Sequence, residues 1–200
     1  MKFIIYCIFW VLFISCSISE NKKGEKKFVI LDKIRNKNYN PKPEILTLKS
    51  YCKKKAYNEQ YGIIINFSIH SGKNRFFLCD LEEEKVIIEG LVCHGSCSGN
   101  DKEFSNIEGS GCSSLGHYKI GNKYNGDFGT AYKLYGLDET NSNVFERFVV
   151  LHSHSCVPKR EVFYEICLSL GCPTLNPEIL KEIEPYLDEA SKPIIIWGIK

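Results

Sequence analysis

The apolar and polar positions divide the chain into segments of different period. Phe3 to Ile14 is an unbroken apolar run behind Met1-Lys2, shorter than the roughly 20 residues that span a bilayer. Ser17 to about Pro43 is polar and lysine-rich (Asn21-Lys22-Lys23-Gly24-Glu25-Lys26-Lys27), with one apolar patch at Phe28 to Leu31, and reads as a tether. Over Glu44 to Tyr57 the residues Ile45, Leu48, Tyr51, Cys52 and Ala56 recur at helical spacing, which predicts a short amphipathic helix packed on the domain C-terminal to it.

From Tyr61 the period shortens. Ile63 to Ile69, Arg75 to Cys79 and Val86 to Cys93 read as strands, separated by the turn-like clusters Ser71-Gly72-Lys73-Asn74 and Asp80-Leu81-Glu82-Glu83-Glu84. Ser113 to Gly121 and Ala131 to Leu137 return to sheet on either side of a Gly- and Asn-rich stretch, Asn122 to Thr130, expected to be a mobile loop that could close over a site. Near the end, Ile179, Leu180, Ile183 and Leu187 share a helical face. Asn176-Pro177-Glu178 supplies its N-cap, N1 proline and first-turn acid. Pro193 to Ile199 is a buried closing strand.

Short β-rich runs with short connections predict a mainly β domain, a sandwich of mixed sheets with short flanking helices. The chain divides into an export signal (1–15), a tether (16–43), a helical lead-in (44–60) and a domain (61–200) large enough for one core.

Charge changes this picture little. Twenty-six basic and 24 acidic residues leave a net +2, which gives no general pull toward nucleic acid. Cysteine changes it more. The apolar run ends in Leu12-Phe13-Ile14-Ser15-Cys16, similar to the site where a lipoprotein leader is cut before a cysteine that receives lipid. The expectation is an exported lipoprotein anchored to a membrane through Cys16 and facing the periplasm or cell envelope; an ordinary secretory leader with an incidental cysteine is the alternative. Of ten cysteines, Cys7 would leave with the leader and Cys16 would be lipidated. Outside the cytoplasm disulfides are available to the rest. Cys97 with Cys112 and Cys156 with Cys167 would each clamp a loop, with buried free thiols as the other reading.

Candidate chemistry concentrates around Cys172, twenty positions after His152. A free cysteine has a pKa of roughly 8.5 and needs an imidazole or a helix N-terminus beside it to act as a nucleophile near neutrality. His152 ends the apolar run Phe148-Val149-Val150-Leu151, and a helix opens just beyond Cys172. Gly171 permits a sharp turn that points N–H groups at an oxyanion, and the Ser153 carbonyl would hold the His152 tautomer. His154 lies two positions along the same strand, on the same face. A rival reading makes His152, His154 and Cys156 zinc ligands.

Leu151-His152-Ser153 followed by Ser169-Leu170-Gly171-Cys172 resembles the signature of the YkuD-like L,D-transpeptidases. So do His94-Gly95 with Phe104-Ser105-Asn106, and Ser113-Ser114-Leu115-Gly116-His117-Tyr118-Lys119-Ile120. Ser169 to Pro173 resembles the murein L,D-transpeptidase branch. The resemblance implies a YkuD-like fold and acyl transfer on peptidoglycan stem peptides, with Cys172 as nucleophile, His152 as base, and Gly171 and Cys172 N–H groups for the oxyanion. It implies His94, Gly95, Tyr135 (or Tyr132), His154 and Ser169 along the cleft. It also implies carbapenem-type inhibitors as partners, and no cofactor or metal. Many members carry His where this chain has Leu170 and Arg where it has Thr174.

Overall fold

The computed structural model describes residues 39–97 and 104–200. Residues 39–200 form one compact unit. The expected export signal, the Cys16 lipidation site and the tether up to residue 38 lie outside the described residues. No helix among the described residues is long and apolar enough to cross a membrane.

The lead-in helix forms as expected, as α1 (Lys42–Lys55), and buries Ile45, Leu48 and Cys52. Ala56, expected on its apolar face, is instead the exposed C-cap in left-handed conformation (φ 59°), with its N–H returned to the last turn. The strands are β1 (Tyr61–Asn66), β2 (Phe76–Asp80), β3 (Lys85–Gly90), β4 (Val92–Cys93), β5 (Gly116–Gly126), β6 (Gly129–Gly136), β7 (Val150–Ser153) and β8 (Thr174–Leu175). Helix α2 (Pro177–Asp188) and β9 (Ile195–Ile199) complete the described chain.

These strands make one mixed sheet in the order β3-β2-β1-β9-β5-β6-β7-β8-β4. β3 and β4 are consecutive in sequence yet stand at opposite ends of that order. The single apolar run Val86 to Cys93, expected as one strand, therefore divides at Leu91: its first half pairs antiparallel with β2 and its second with β8. The sheet curls until it is nearly closed, and the two layers of the expected sandwich are halves of one sheet.

Alternation along β1 shows how the halves are filled. Ile63 and Ile65 face one core with Leu151, Leu175 and the α2 residues Ile179, Leu180 and Ile183. Ile64 faces the other with Ile45, Leu48 and Cys52 of α1. β9 lies between β1 and β5, parallel to the first and antiparallel to the second, so the closing strand is central and its Ile195 and Ile196 are fully buried. The stretch expected as a mobile loop, Asn122 to Thr130, is instead mostly strand. β5 and β6 pair out to Gly126 opposite Gly129, leaving Asp127-Phe128 as a two-residue hairpin tip.

Helix α2 starts where its cap residues predict. Asn176 Oδ1 accepts the Glu178 N–H at 2.9 Å, and Asn176 Nδ2 donates to the Val157 carbonyl at 2.8 Å in a buried setting. One side chain thus ties the helix after β8 to the loop that precedes it. Replacing Asn176 by Ala removes a cap and leaves a buried carbonyl unpaired. Urea unfolding is expected to show a loss of about 1–3 kcal/mol.

Candidate active site

The candidate residues meet because β7 and β8 run parallel, with His152 opposite Thr174 and Ser153 opposite Leu175. Extending that register two positions back sets Cys172 level with Val150, about 6–7 Å of strand rise from His152. The Cys172 sulfur accordingly receives the Val150 N–H at 3.4 Å and lies 3.9 Å from the Phe148 carbonyl oxygen. Phe148 is 85 % exposed and has a left-handed backbone (φ 55°), an uncommon state for an aromatic residue and a strained one beside a reactive atom. A cavity of about 160 Å³ is lined by Phe148 and Val150 with Tyr124, Lys133, Leu134, Phe145 and Val149.

Burial pushes the Cys172 thiol above its ordinary value, with the Val150 N–H and the charge of Arg147 pulling the other way. Arg147 was not legible as a site residue in the sequence. Its guanidinium donates to the carbonyls of Ser105 (2.8 Å) and Cys112 (2.6 Å) and to the hydroxyls of Ser114 (2.8 Å) and Ser110 (3.3 Å). No carboxylate within ion-pair distance neutralises it among the described residues. Its positive charge therefore remains available to the sulfur.

His152 is 8 % exposed, and its Nδ1 lies 3.1 Å from the Ser153 carbonyl oxygen. That contact assigns the proton to Nδ1 and leaves Nε2 as the acceptor. Nε2 faces the Thr174 hydroxyl at 3.1 Å rather than the sulfur. The same hydroxyl has a second acceptor, the Cys172 carbonyl at 3.3 Å. Rotating one hydrogen between them frees Nε2 without moving backbone. Burial holds the imidazole below its ordinary value, the Ser153 bond opposing this and His154 adding to it. The resting pair is thus a neutral thiol and a neutral imidazole.

The hairpin tip supplies a residue that sequence reasoning missed. Phe128, 61 % exposed, stacks over the His152 ring (centroids 5.2 Å, 26°) and meets His154 edge-on (5.5 Å, 76°). In place of the expected mobile loop, one aromatic side chain at the hairpin tip covers the two imidazoles.

The remaining candidates separate into three groups. Gly171 and Ser169 shape the turn that carries the sulfur. Gly171 has φ 118°, and a Cβ there would stand 2.7 Å from the Cys112 carbonyl oxygen. Its N–H is taken by Ser169 Oγ at 3.1 Å, and Ser169 Oγ donates to the Cys172 carbonyl at 2.7 Å. The Cys172 N–H has no protein partner among the described residues. His94-Gly95 runs beside this turn: the Ser169 N–H donates to the His94 carbonyl, and Gly95 bridges Ser169. Gly95 leaves no room for a side chain, since a Cβ would meet the Gly111 carbonyl at 2.2 Å.

The His94 ring itself turns away, its Nδ1 2.8 Å from the buried Arg75 guanidinium. Burial and that cation hold His94 down at about 4, against a small upward pull from Glu165. Tyr135 belongs to neither set. It stacks on Phe145 at 4.7 Å and lines a second cavity of about 380 Å³ with Lys119 and Lys192. Tyr132 is buried and donates to Asp188 at 2.7 Å.

The zinc reading of His152, His154 and Cys156 is overturned by geometry. The Cys156 sulfur is bonded to Cys167, and the Cys156 N–H donates to His154 Nδ1. Cys97 is bonded to Cys112, so both disulfides considered from the sequence are present, with Cys52, Cys79, Cys93 and Cys172 free.

A family model described as the L,D-transpeptidase catalytic domain matches residues 33–197, and the chain belongs to that family. The match begins 28 residues before Tyr61, where the expected domain starts, and so takes in α1. No curated protein matches the sequence. Solved structures similar to this chain include the Ldtfm-avibactam carbamoyl enzyme (13 % identity, TM-score 0.44, covering 72 % of this chain and 50 % of that one). They also include LdtMt1 in complex with imipenem (13 %, 0.41, 70 % and 59 %). A third is the helical cell shape determining protein Pgp2 from Campylobacter jejuni (14 %, 0.44, 75 % and 54 %). The chain spans about half the length of these solved chains.

A thiol held above its ordinary value labels slowly at neutral pH. Iodoacetamide labelling of the Cys172 peptide, measured by mass spectrometry, is expected to keep accelerating past pH 8.5, roughly the ordinary cysteine pKa. A plateau near neutrality would reveal a preformed thiolate.

Proposed function

We propose that this protein is a cysteine-dependent L,D-transpeptidase of peptidoglycan, of the murein branch that carries Ser-Leu-Gly-Cys-Pro, working as a lipoprotein on the periplasmic or envelope face of a membrane. The observation that carries the reading is the Cys172 sulfur polarised by the N–H of Val150, a residue that lines an apolar cavity, one strand away from a His152 whose Nδ1 is fixed.

With both groups neutral at rest, the reaction starts by proton transfer rather than from an ion pair. The Thr174 hydroxyl rotates onto the Cys172 carbonyl, and His152 Nε2 takes the thiol proton as sulfur attacks the carbonyl of the third, diamino acid residue of a stem peptide. The Cys172 N–H, which has no protein partner among the described residues, and the field of Arg147 stabilise the oxyanion; the Gly171 N–H joins only if it leaves Ser169 Oγ. His152 returns its proton to the departing terminal D-alanine, and a thioester remains on Cys172. A side-chain amine of a second stem resolves it to a 3-3 cross-link, or water resolves it to a free carboxylate. One amide is exchanged for another through the thioester, so no cofactor enters.

Phe128 over His152 keeps water from the imidazole. Phe128 and the exposed Leu170 and Phe148 give a peptide an apolar rim. His154 lies under the same aromatic ring and is the candidate for contact with the acceptor.

A second reading is a wall-binding protein without activity, favoured by the Thr174 hydroxyl on the base nitrogen where many relatives carry Arg. Mass spectrometry after exposure to a carbapenem separates the two. The enzyme gains one covalent adduct on Cys172 that Cys172→Ala abolishes. With disaccharide tetrapeptides it releases D-alanine or forms dimers, and His152→Ala is expected to lower turnover by about 10²–10⁴-fold. Wall binding with neither adduct nor product favours the second reading.

A further inference from the structure

Apart from Cys172, one thiol has chemistry within reach. Cys93 of β4 is 1 % exposed, and its sulfur lies 3.3 Å from the sulfur of Cys167, which is bonded to Cys156. The three sulfurs lie within 4.8 Å of one another. Cys52 and Cys79, also free and buried, belong to a different core, packed with α1. Apolar neighbours Leu91, Val157 and Ile166 surround the cluster and fix where Cys93 sits. Hydrogen bonds fix the partner: the Ile166 N–H donates to Ser71 Oγ at 3.1 Å and the Val162 N–H to the Gly72 carbonyl at 2.8 Å.

We propose that Cys93, Cys156 and Cys167 form a thiol–disulfide exchange centre, in which the Cys93 sulfur displaces Cys156 from Cys167. The Cys93 thiol gives up its proton, its sulfur forms a bond to Cys167 Sγ, the Cys156–Cys167 bond breaks, and Cys156 departs as a thiolate that takes up a proton. One disulfide and one thiol enter and leave, so no oxidant or reductant is consumed.

The exchange changes both the topology and the surface. Before it, the Cys156–Cys167 disulfide joins positions only 11 residues apart. After it, a bond between positions 74 residues apart ties Cys167 to β4. Cys167 is two residues before Ser169, which clamps the Cys172 turn, and Cys93 stands in one row with Thr174 and His152 across β4, β8 and β7. The second form staples the catalytic turn to the sheet edge. The free thiol meanwhile moves from the interior to Cys156, which is exposed and whose N–H is held by His154 Nδ1. There it is open to disulfides of small thiols or to a dithiol oxidoreductase. The Cys156–Cys167 bond is the one present in the structure, and burial pushes the Cys93 thiol up to about 11, with Arg75 opposing, which keeps its attack slow near neutral pH.

The test uses the full chain, purified without reductant and held folded with iodoacetamide at pH 8 for hours. It is then acidified and digested with trypsin, which cuts at Lys159 and Arg160 between the two bonded cysteines. Wild type is expected to accumulate molecules alkylated on Cys156 that carry a Cys93–Cys167 link. Cys93→Ser is expected to keep Cys156–Cys167 and leave Cys156 unalkylated. An unmodified Cys156 in wild type overturns the proposal, as does equal alkylation in Cys93→Ser. Cys156→Ser, incubated with oxidised glutathione, is expected to form Cys93–Cys167; finding both alkylated instead also overturns it. None of these readouts involves turnover, so the result stands whether or not the acyl-transfer reading does.

Discussion

The parallel pairing of β7 with the two-residue β8 is the constraint on which the site depends. It sets Thr174 against His152 and, two positions earlier, the sulfur against the Val150 N–H. A slip of one residue would turn every β8 side chain to the other face of the sheet. Two residues of strand hold a register weakly by themselves, and the neighbours supply what is missing. β4 pairs with the other side of β8, Ser169 clamps the turn ahead of it, and Asn176 ties the start of α2 to Val157. The reactive segment is thus pinned from its flanks as well as through the Val150 N–H on the sulfur.

Electrostatics around the segment come from two arginines without carboxylate partners among the described residues. Arg147 spends its donors on carbonyl and hydroxyl oxygens beneath the Cys172 turn. Arg75, 2 % exposed, spends its own on the carbonyls of Val92 and Ile69 and on His94. Hydrogen bonds to neutral acceptors satisfy the guanidinium geometry without cancelling its charge. Arg75 is lowered to about 10 by burial, which is a measure of how dry that side of the sheet edge is.

The legible part of the fold was local. The cap at Asn176, the apolar face of α2, the helical lead-in and most strands arise from period and capping chemistry that act within a few residues. The run Val86 to Cys93 misled because nothing in an apolar stretch says where a closing sheet must change partners. Asn122 to Thr130 misled because its glycines serve a tight hairpin rather than a loop. At the site, Cys172, His152, Ser153 and Ser169 fall together, carried by motif spacing. Arg147, Phe128 and Tyr124 reach it through tertiary packing, and no spacing encodes them. Tyr135 was placed by its distance along the chain from His152, and that distance does not report which cavity a strand residue faces.

The segment joining β7 to β8 is long, yet its ends are anchored independently. The His154 N–H donates to the Leu175 carbonyl and the Ser169 N–H to the His94 carbonyl. Phe163 and Tyr164, both exposed, lie between the bonds to Gly72 and Ser71. Extra sequence grafted at that crest lengthens a closed excursion without entering the active-site register, at about 0.6 kcal/mol for each doubling of the segment. The crest is a natural port for an epitope or a fluorophore, on a scaffold whose nucleophile would not notice the cargo.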